Sequence, residues 1–245
     1  MKTELSSRYE DYAHAQRLAA QDLLLFTGAL KPRTILEPGC GTGLYSRILL
    51  EAFPRASILA VDISETRVKA AQRDIASPAI RFEVADAEEL PLASYELITS
   101  NSTFQWFRRL PLTITRLAQM LTGGGVLSFS FFGPGTYGEL DDAMGKVFHG
   151  RARVTASGFA GRDVLSSALA ACFMRWNIEE KIYTQVFPSL HELLRSIKFT
   201  ETRGVPPGSQ ILWTRGTLAR VEEAYFKRWG RIQASYQVYF CRGQR

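Results

Sequence analysis

Apolar residues in this chain fall into short unbroken runs separated by helix-spaced stripes. Thr34–Leu36 is an apolar, partly β-branched run, the pattern of a buried strand, and Ser57–Val61, Ile80–Val84, Tyr95–Ser100 and Val126–Phe132 also predict strands, although Arg81 and Glu83 alternate with apolar residues in the third. Leu44–Ala52, Glu65–Ala76 and Leu112–Leu121 alternate with them and are rich in helix formers, and Gly123-Gly124-Gly125 is expected to terminate the third. Successive strand-helix units with right-handed crossovers predict a doubly wound α/β fold whose parallel sheet keeps its ligand edge on one side. Ahead of the first strand, Ser6–Leu30 predicts a helix with a ragged apolar face that includes Tyr9, Tyr12, Gln16 and Leu23. That helix either covers a ligand or simply docks on the sheet.

Beyond Phe132 the pattern loosens. Tyr137–His149, Arg162–Cys172, Leu190–Ile197 and Leu218–Trp229 predict helices; Ile178–Phe187 and Gln237–Cys241 predict strands. About 50 residues separate those last two strands, more than a simple loop is expected to hold, so they are assigned to an inserted helical cap. The chain then divides into an N-terminal helical cover (1–30), a ligand-binding core (31–135) and a last section with the cap (136–245), one domain overall.

Composition narrows the class. With 46% hydrophobic residues in 245, the chain can bury a large core. Cys40, Cys172 and Cys241 are odd in number and widely spaced, which predicts reduced thiols rather than a disulfide framework or a metal site. Met1–Gln16 lacks the apolar core of a secretion signal, and no run approaches the roughly 20 apolar residues of a membrane helix, so a soluble cytoplasmic protein is expected. The net charge of +6 is unevenly spread: residues 151–245 hold 15 Lys+Arg against 7 Asp+Glu, whereas residues 1–150 hold 15 against 17. A basic surface beside a ligand-binding core suggests an acidic partner or merely a solvated face.

The candidate chemistry begins at Glu37-Pro38-Gly39-Cys40-Gly41-Thr42-Gly43, on the turn from the first strand into the next helix. Glycines permit a tight turn and close approach to a ligand, and the helix N-terminus offers free N–H groups to an anionic ligand group. A dinucleotide fingerprint reads G-x-G-x-x-G; the G-x-G-x-G spacing here, with Glu37 before it, favours a different ligand. Asp62 follows Glu37 by 25 residues, at the carboxyl end of the neighbouring strand, where a carboxylate can accept both hydroxyls of a ribose. Its alternative role is a helix cap, for which Ser64 is better placed. The third strand ends in Ala85-Asp86-Ala87; Glu88 and Glu89 beyond it are expected as surface charges. Asn101, Gln105 and Trp106 follow the fourth strand, where the chain passes from cofactor to substrate side, and Phe104 and Phe107 are expected in the core.

These motifs resemble the class I S-adenosylmethionine-dependent methyltransferases and, within them, the malonyl-acyl-carrier-protein O-methyltransferases of biotin synthesis. Tyr9-Glu10-x-x-Ala13-x-x-Gln16 is similar to that branch's Y-D-x-x-A-x-x-Q, with Glu10 in place of aspartate. Ser100-Asn101 with Gln105-Trp106, Phe132-Gly133-Pro134-Gly135-Thr136 with Glu139-Leu140, and Leu194-Arg195-Ser196-Ile197-Lys198 are similar to its S-N-x-x-x-Q-W, F-G-P-G-T-x-x-E-L and L-x-x-L-K. The glycines expected after Lys198 are replaced by Phe199-Thr200-Glu201-Thr202.

The resemblance implies a Rossmann-like, mostly parallel seven-stranded sheet with helices on both faces and an inserted cap. It implies S-adenosylmethionine as cofactor, held by Gln16, Glu37, Gly39, Cys40, Gly41, Gly43, Asp62, Ile63, Asp86, Ala87 and Asn101. Glu37 would serve the ammonium end and Asp86 the adenine amino group. Gln105, Trp106, Gly133, Pro134, Gly135 and Thr136 would line the substrate pocket, with Lys198, Tyr9 or Arg195 as clamp for the substrate carboxylate. Malonyl-acyl-carrier protein would be the acidic partner of the basic cap, and no metal is implied. A carboxylate acceptor is already ionised at neutral pH, so no general base is required. Competing readings are another small carboxylic acid, such as an aconitate-type substrate, and a non-catalytic cofactor binder. Nucleic acid is not the expected partner, since no base-flipping signature or RNA-binding module accompanies the charge.

Overall fold

The computed structural model describes residues 9, 11–200 and 214–245. Its elements are α1 (His14–Thr27), β1 (Thr34–Pro38), α2 (Leu44–Ala52), β2 (Ser57–Asp62), α3 (Glu65–Asp74), β3 (Ile80–Val84), β4 (Tyr95–Ser100), α4 (Leu110–Gln119) and β5 (Leu121–Phe132). They continue with α5 (Gly138–Val147), α6 (Arg162–Ala170), β6 (Arg175–Phe187), α7 (Leu190–Phe199), α8 (Arg215–Trp229) and β7 (Ile232–Gln244). The predicted helix over Ser6–Leu30 is seen from His14 to Thr27, with a short helical stretch before Ala13; residues 6–8 and 10 lie outside the described ones.

The seven strands form one sheet in the order β3-β2-β1-β4-β5-β7-β6. β1 is parallel to β2 and β4, β2 to β3, and β4 to β5. Gly133 N donates to Gln237 O and Gly124 N to Arg245 O, so numbers rise along β5 as they fall along β7 and this pair is antiparallel. The chain builds outward from β1 through β2 to β3, then reverses through β4 to β5. Such a reversal opens a crevice outside the strands' carboxyl ends, where a ligand can settle.

The glycine triplet behaves differently from the prediction. α4 ends before it, with Met120 N donating to the Arg116 and Leu117 carbonyls, and Gly123–Gly125 lie inside β5. Tyr95 pairs with Leu121 but Leu97 with Val126, so the glycines form a bulge that resets the register, with Gly124 at φ +80°.

The chain folds into two compact units. Unit 1 holds the residues up to Phe131 with Arg162–Glu180 and Tyr239–Arg245. Its core includes Ile35, Leu36, Leu97, Ile98, Leu127 and Phe129, all fully buried, and Phe104 stacks on Phe129 at 4.0 Å. α1 is tied to the sheet by polar contacts: Thr27 Oγ1 lies 2.8 Å from Ser128 Oγ, and Asn101 Nδ2 donates to the Gln16 carbonyl at 3.0 Å.

Unit 2 comprises Phe132–Gly161 and Lys181–Val238. In it α5 packs on α8, and Arg228 joins Asp142 at 3.0 Å. α8 starts with a capping box, in which the Thr214 and Thr217 hydroxyls accept from each other's backbone N–H, and stops at left-handed Gly230. Tyr137, Tyr225 and Tyr236 are buried in this unit, and burial pushes the Tyr225 and Tyr236 hydroxyls well above the usual range.

Candidate active site

The turn after β1 is built by hydrogen bonds rather than by packing alone. Gly39 N and Cys40 N both donate to the Val61 carbonyl on β2, at 2.7 and 2.9 Å, and Gly41 N donates to Asp62 Oδ2 at 2.9 Å. Thr103 Oγ1 lies 3.1 Å from the Gly39 carbonyl, and Ser100 Oγ donates to the Pro38 carbonyl at 2.6 Å. Gly39 has φ +72°, and a Cβ there would collide with the Thr103 side chain. Gly41 has φ +55°, yet a Cβ on it would meet nothing within 4 Å, so its backbone borders open space. One glycine is needed for the fold of the turn and the other leaves room for a neighbour.

Two acids mark the loop's depth. Glu37 is 1% exposed and accepts from Ser46 Oγ at 2.6 Å. Burial, partly offset by the Ser46 hydrogen bond and reinforced by Asp62, pushes its carboxyl from 4.5 up to about 8. A buried carboxyl that stays mostly protonated at neutrality is a natural partner for a cation, which restores its charge. Asp62 is buried at the end of β2, and its Oδ1 accepts from Ser64 N at 2.9 Å while Oδ2 braces Gly41. Each oxygen keeps a further lone pair. Ser64 is the N-cap of α3 by position but its side chain makes no capping bond. Next to Asp62, the Ile63 side chain is 72% exposed, an apolar surface beside the polar acid.

At the end of β3, Asp86 Oδ1 accepts from Glu88 N at 2.9 Å and Oδ2 from Arg108 Nη2 at 2.8 Å, with Ala87 buried between. Glu88 is not a surface charge as expected. It is 6% exposed and accepts from Arg108 N, Arg108 Nε, Arg109 N and Thr113 Oγ1, because two acids side by side in sequence can face opposite ways. Burial opposes its ionisation, but hydrogen bonds from the Arg109 and Arg108 amides, aided by the Arg108 and Thr113 side chains, hold its pKa below the usual range. Glu89 stays exposed and pairs with Arg109.

The end of β4 meets α1. Asn101 Oδ1 accepts from Ser130 Oγ at 2.7 Å, and Ser102, at φ +57°, donates its N–H to Ser130 Oγ at 2.8 Å. A serine in that left-handed region stores strain of a kind that collects at functional sites. The Gln16 side chain is 3% exposed and its Oε1 has no partner among the described residues, nor does buried Thr42 Oγ1 in the glycine turn. Gln105 donates to the Ser102 carbonyl at 2.7 Å, Trp106 is 41% exposed, and Phe104 is buried as expected. Tyr9 is half-buried at the start of the described chain.

The remaining candidates lie in unit 2. Gly133-Pro134-Gly135-Thr136 is stitched to β7: Gly135 N donates to Gln237 Oε1 at 2.7 Å, and Thr136 Oγ1 to the Gln237 carbonyl at 3.2 Å. Glu139, from the same motif, accepts from Ser235 N, Ser235 Oγ and Gln233 Nε2. Lys198 is exposed near the end of α7; Arg195 is exposed too, 3.6 Å from Glu192 and over the Phe199 ring. Of Phe199-Thr200-Glu201-Thr202, which replace the family's expected glycines, residues 201–202 lie outside the described ones.

Sequence reasoning missed Ser46, Thr103, Arg108 and Gln237. No motif marks them; each is recognisable only by the group it holds. Among the described residues no group of three His, Cys, Asp or Glu could hold a metal ion, and no helix is long and apolar enough to cross a membrane. The open edge at Gly41, the orphaned Gln16 and Thr42 oxygens and the paired acids fit a ligand with a cationic end and a sugar.

A family model described as a methyltransferase domain matches residues 35–125. A malonyl-[acyl-carrier protein] O-methyltransferase of Methylococcus capsulatus is 35% identical over 240 residues, covering 94% of this chain and 86% of the relative. One from Geobacter sulfurreducens is 30% identical, covering 97% of this chain and 94% of the relative. Among solved structures, the YcgJ protein of a Bacillus has the same fold, with a TM-score of 0.64 at 14% identity, covering 93% of this chain and 98% of that one.

Proposed function

Because the chain belongs to the malonyl-[acyl-carrier protein] O-methyltransferase family, we propose that it esterifies the free carboxylate of malonyl-acyl-carrier protein, an early step of biotin synthesis, in the cytoplasm. The observation that carries this reading is similarity at 35% identity over nearly the whole chain rather than over the methyltransferase domain alone. S-adenosylmethionine, when bound, supplies a methyl group made electrophilic by its sulfonium.

The chain's own residues then have to bind, orient and exclude water. Glu37 neutralises the ammonium end, with Gly39, Cys40, Gly41 and Gly43 forming the wall around the methionine part. Asp62 offers its free lone pairs to the ribose hydroxyls, Ile63 packs on the base, and Asp86 and Ala87 face the base's edge. Gln16 and Asn101 complete this set; the unpartnered Gln16 Oε1 supports a polar ligand there. Asn101 already holds the Gln16 backbone, so one contact bears on both.

No proton has to be removed from a carboxylate acceptor, which leaves positioning and desolvation as the protein's tasks. Gln105, Trp106 and the 133–136 loop are assigned to the acyl substrate. Lys198 is the first choice as clamp for the non-attacking carboxylate oxygen, ahead of Arg195 and Tyr9, because it is a motif cation with no ion pair among the described residues. On α8, Arg220 and Lys227 are exposed cations suited to an acidic carrier. The test is methyl transfer from labelled S-adenosylmethionine, followed by mass spectrometry on malonyl- and acetyl-carrier protein. Labelling of the malonyl form alone supports the assignment; labelling of both, or of neither with cofactor binding intact, rejects it.

A further inference from the structure

Arg108 belongs to no motif, yet it sits at the centre of an ionic bracket within unit 1. Its Nη2 donates to Asp86 Oδ2 at 2.8 Å, and its Nε and backbone N–H donate to Glu88 Oε2, each at 3.1 Å. Glu88 is itself immobilised: it is buried, and its other oxygen accepts from Arg109 N and Thr113 Oγ1, both at 2.9 Å on the first turn of α4. The Asp86 carboxylate is therefore held at both oxygens, Oδ1 by the Glu88 amide and Oδ2 by a guanidinium whose own orientation is set from α4.

We propose that Arg108 is a specificity-determining positioning residue, which holds Asp86 so that its outward lone pairs accept the exocyclic amino group of the cofactor's purine. This rests on the assignment of Asp86 to the purine. A guanidinium has only donors and an ionised carboxylate only acceptors, so their pairing leaves Asp86 with nothing but acceptor sites to present. An amino-purine satisfies them. A 6-oxo-purine sets oxygen against oxygen, and a carboxylate fixed on both sides cannot rotate to relieve the contact. Without the guanidinium, Oδ2 is free to swing about the Oδ1 anchor, and the penalty against the 6-oxo base shrinks. Arg108 is 69% exposed, so its contribution lies in orientation more than in stability.

The experiment compares calorimetric affinities for S-adenosylhomocysteine and S-inosylhomocysteine in the wild type, Arg108→Ala and Arg108→Lys. The wild type should prefer the adenosyl ligand strongly; Arg108→Ala should cut that preference by roughly fivefold to tenfold, the scale of one misaligned polar contact, and Arg108→Lys by less. A preference unchanged in both variants overturns the role of Arg108. Failure of wild type to bind S-adenosylhomocysteine, or an unchanged affinity for it in Asp86→Ala, instead overturns the underlying assignment of the site. A purely structural Arg108 would lower both affinities alike and leave the ratio intact, which also overturns the proposal. Should Arg108→Ala fail to fold, Arg108→Lys alone decides, because it keeps the charge but loses the fork.

Discussion

In the turn after β1, the N–H groups of Gly39, Cys40 and Gly41 all have acceptors, two on Val61 and one on Asp62, whereas Arg215, Arg220 and Lys227 along α8 are exposed and unpaired among the described residues. The turn is over-determined and α8's outer face is not. A hydrogen-bonded turn with one open side accepts a narrow range of shapes, and its residues carry information about the ligand. Free cations on long side chains attract any acidic surface in many orientations, so they inform only about its sign. The two regions should therefore fail differently when altered.

The largest effect is expected at Gly39→Val, which puts a β-branched side chain at φ +72° and against Thr103. Chemical denaturation should show a loss of about 3 kcal/mol or more, with cofactor binding abolished. Lys227→Val on α8 should change stability by no more than about 0.5 kcal/mol, and a comparable loss at both sites would erase the contrast. Next, Asp62→Ala should weaken cofactor binding by roughly 1 to 3 kcal/mol in calorimetry, since charged hydrogen bonds go while β2 remains; an unchanged affinity would remove Asp62 from the site.

Glu37 supplies a pH test. Its folded-state pKa of about 8 lies above the ordinary 4.5, so the folded protein holds a proton that the unfolded chain has released in that window. This contribution is complete below about pH 4.5 and is lost as pH rises toward 8, with a slope approaching about 1.4 kcal/mol per pH unit. Glu37→Gln should flatten that decline in cofactor-free protein, as read from unfolding midpoints between pH 5 and pH 8, a window set by this shift. Parallel curves for wild type and variant would show that Glu37 stays ionised. The smallest effect is at α8: Arg220→Glu should slow association with carrier protein a few-fold at low salt and less at high salt. Equal slowing at both would argue against steering.

Much of unit 1 was legible in the sequence because its constraints are local. Strands covered on both faces become apolar runs, as in β1 and β2, and acids at or just beyond the ends of β1, β2 and β3 land on the sheet's ligand edge. Asp62 shows the limit: its spacing placed it there, but nothing in that spacing reveals its grip on Gly41. The glycine triplet was misjudged because three glycines suit a helix stop and a bulge equally, and only pairing with β4 and β7 decides. Glu88 looked like Glu89 because its partners Arg108, Arg109 and Thr113 come 20 to 25 residues later. In unit 2, motif matches located the 133–136 loop, while the role of Gln237 in holding it depends on a contact across 102 residues of sequence.

The most direct test of the account is steady-state methyl transfer to malonyl-carrier protein by wild type, Asp62→Ala and Lys198→Ala, varying cofactor and carrier in turn. Asp62→Ala should raise KM for the cofactor and leave that for the carrier unchanged, while Lys198→Ala should do the reverse. Wild-type kinetics in Lys198→Ala, or both KM values rising in each variant, would contradict the division of labour between the glycine turn and the basic helices.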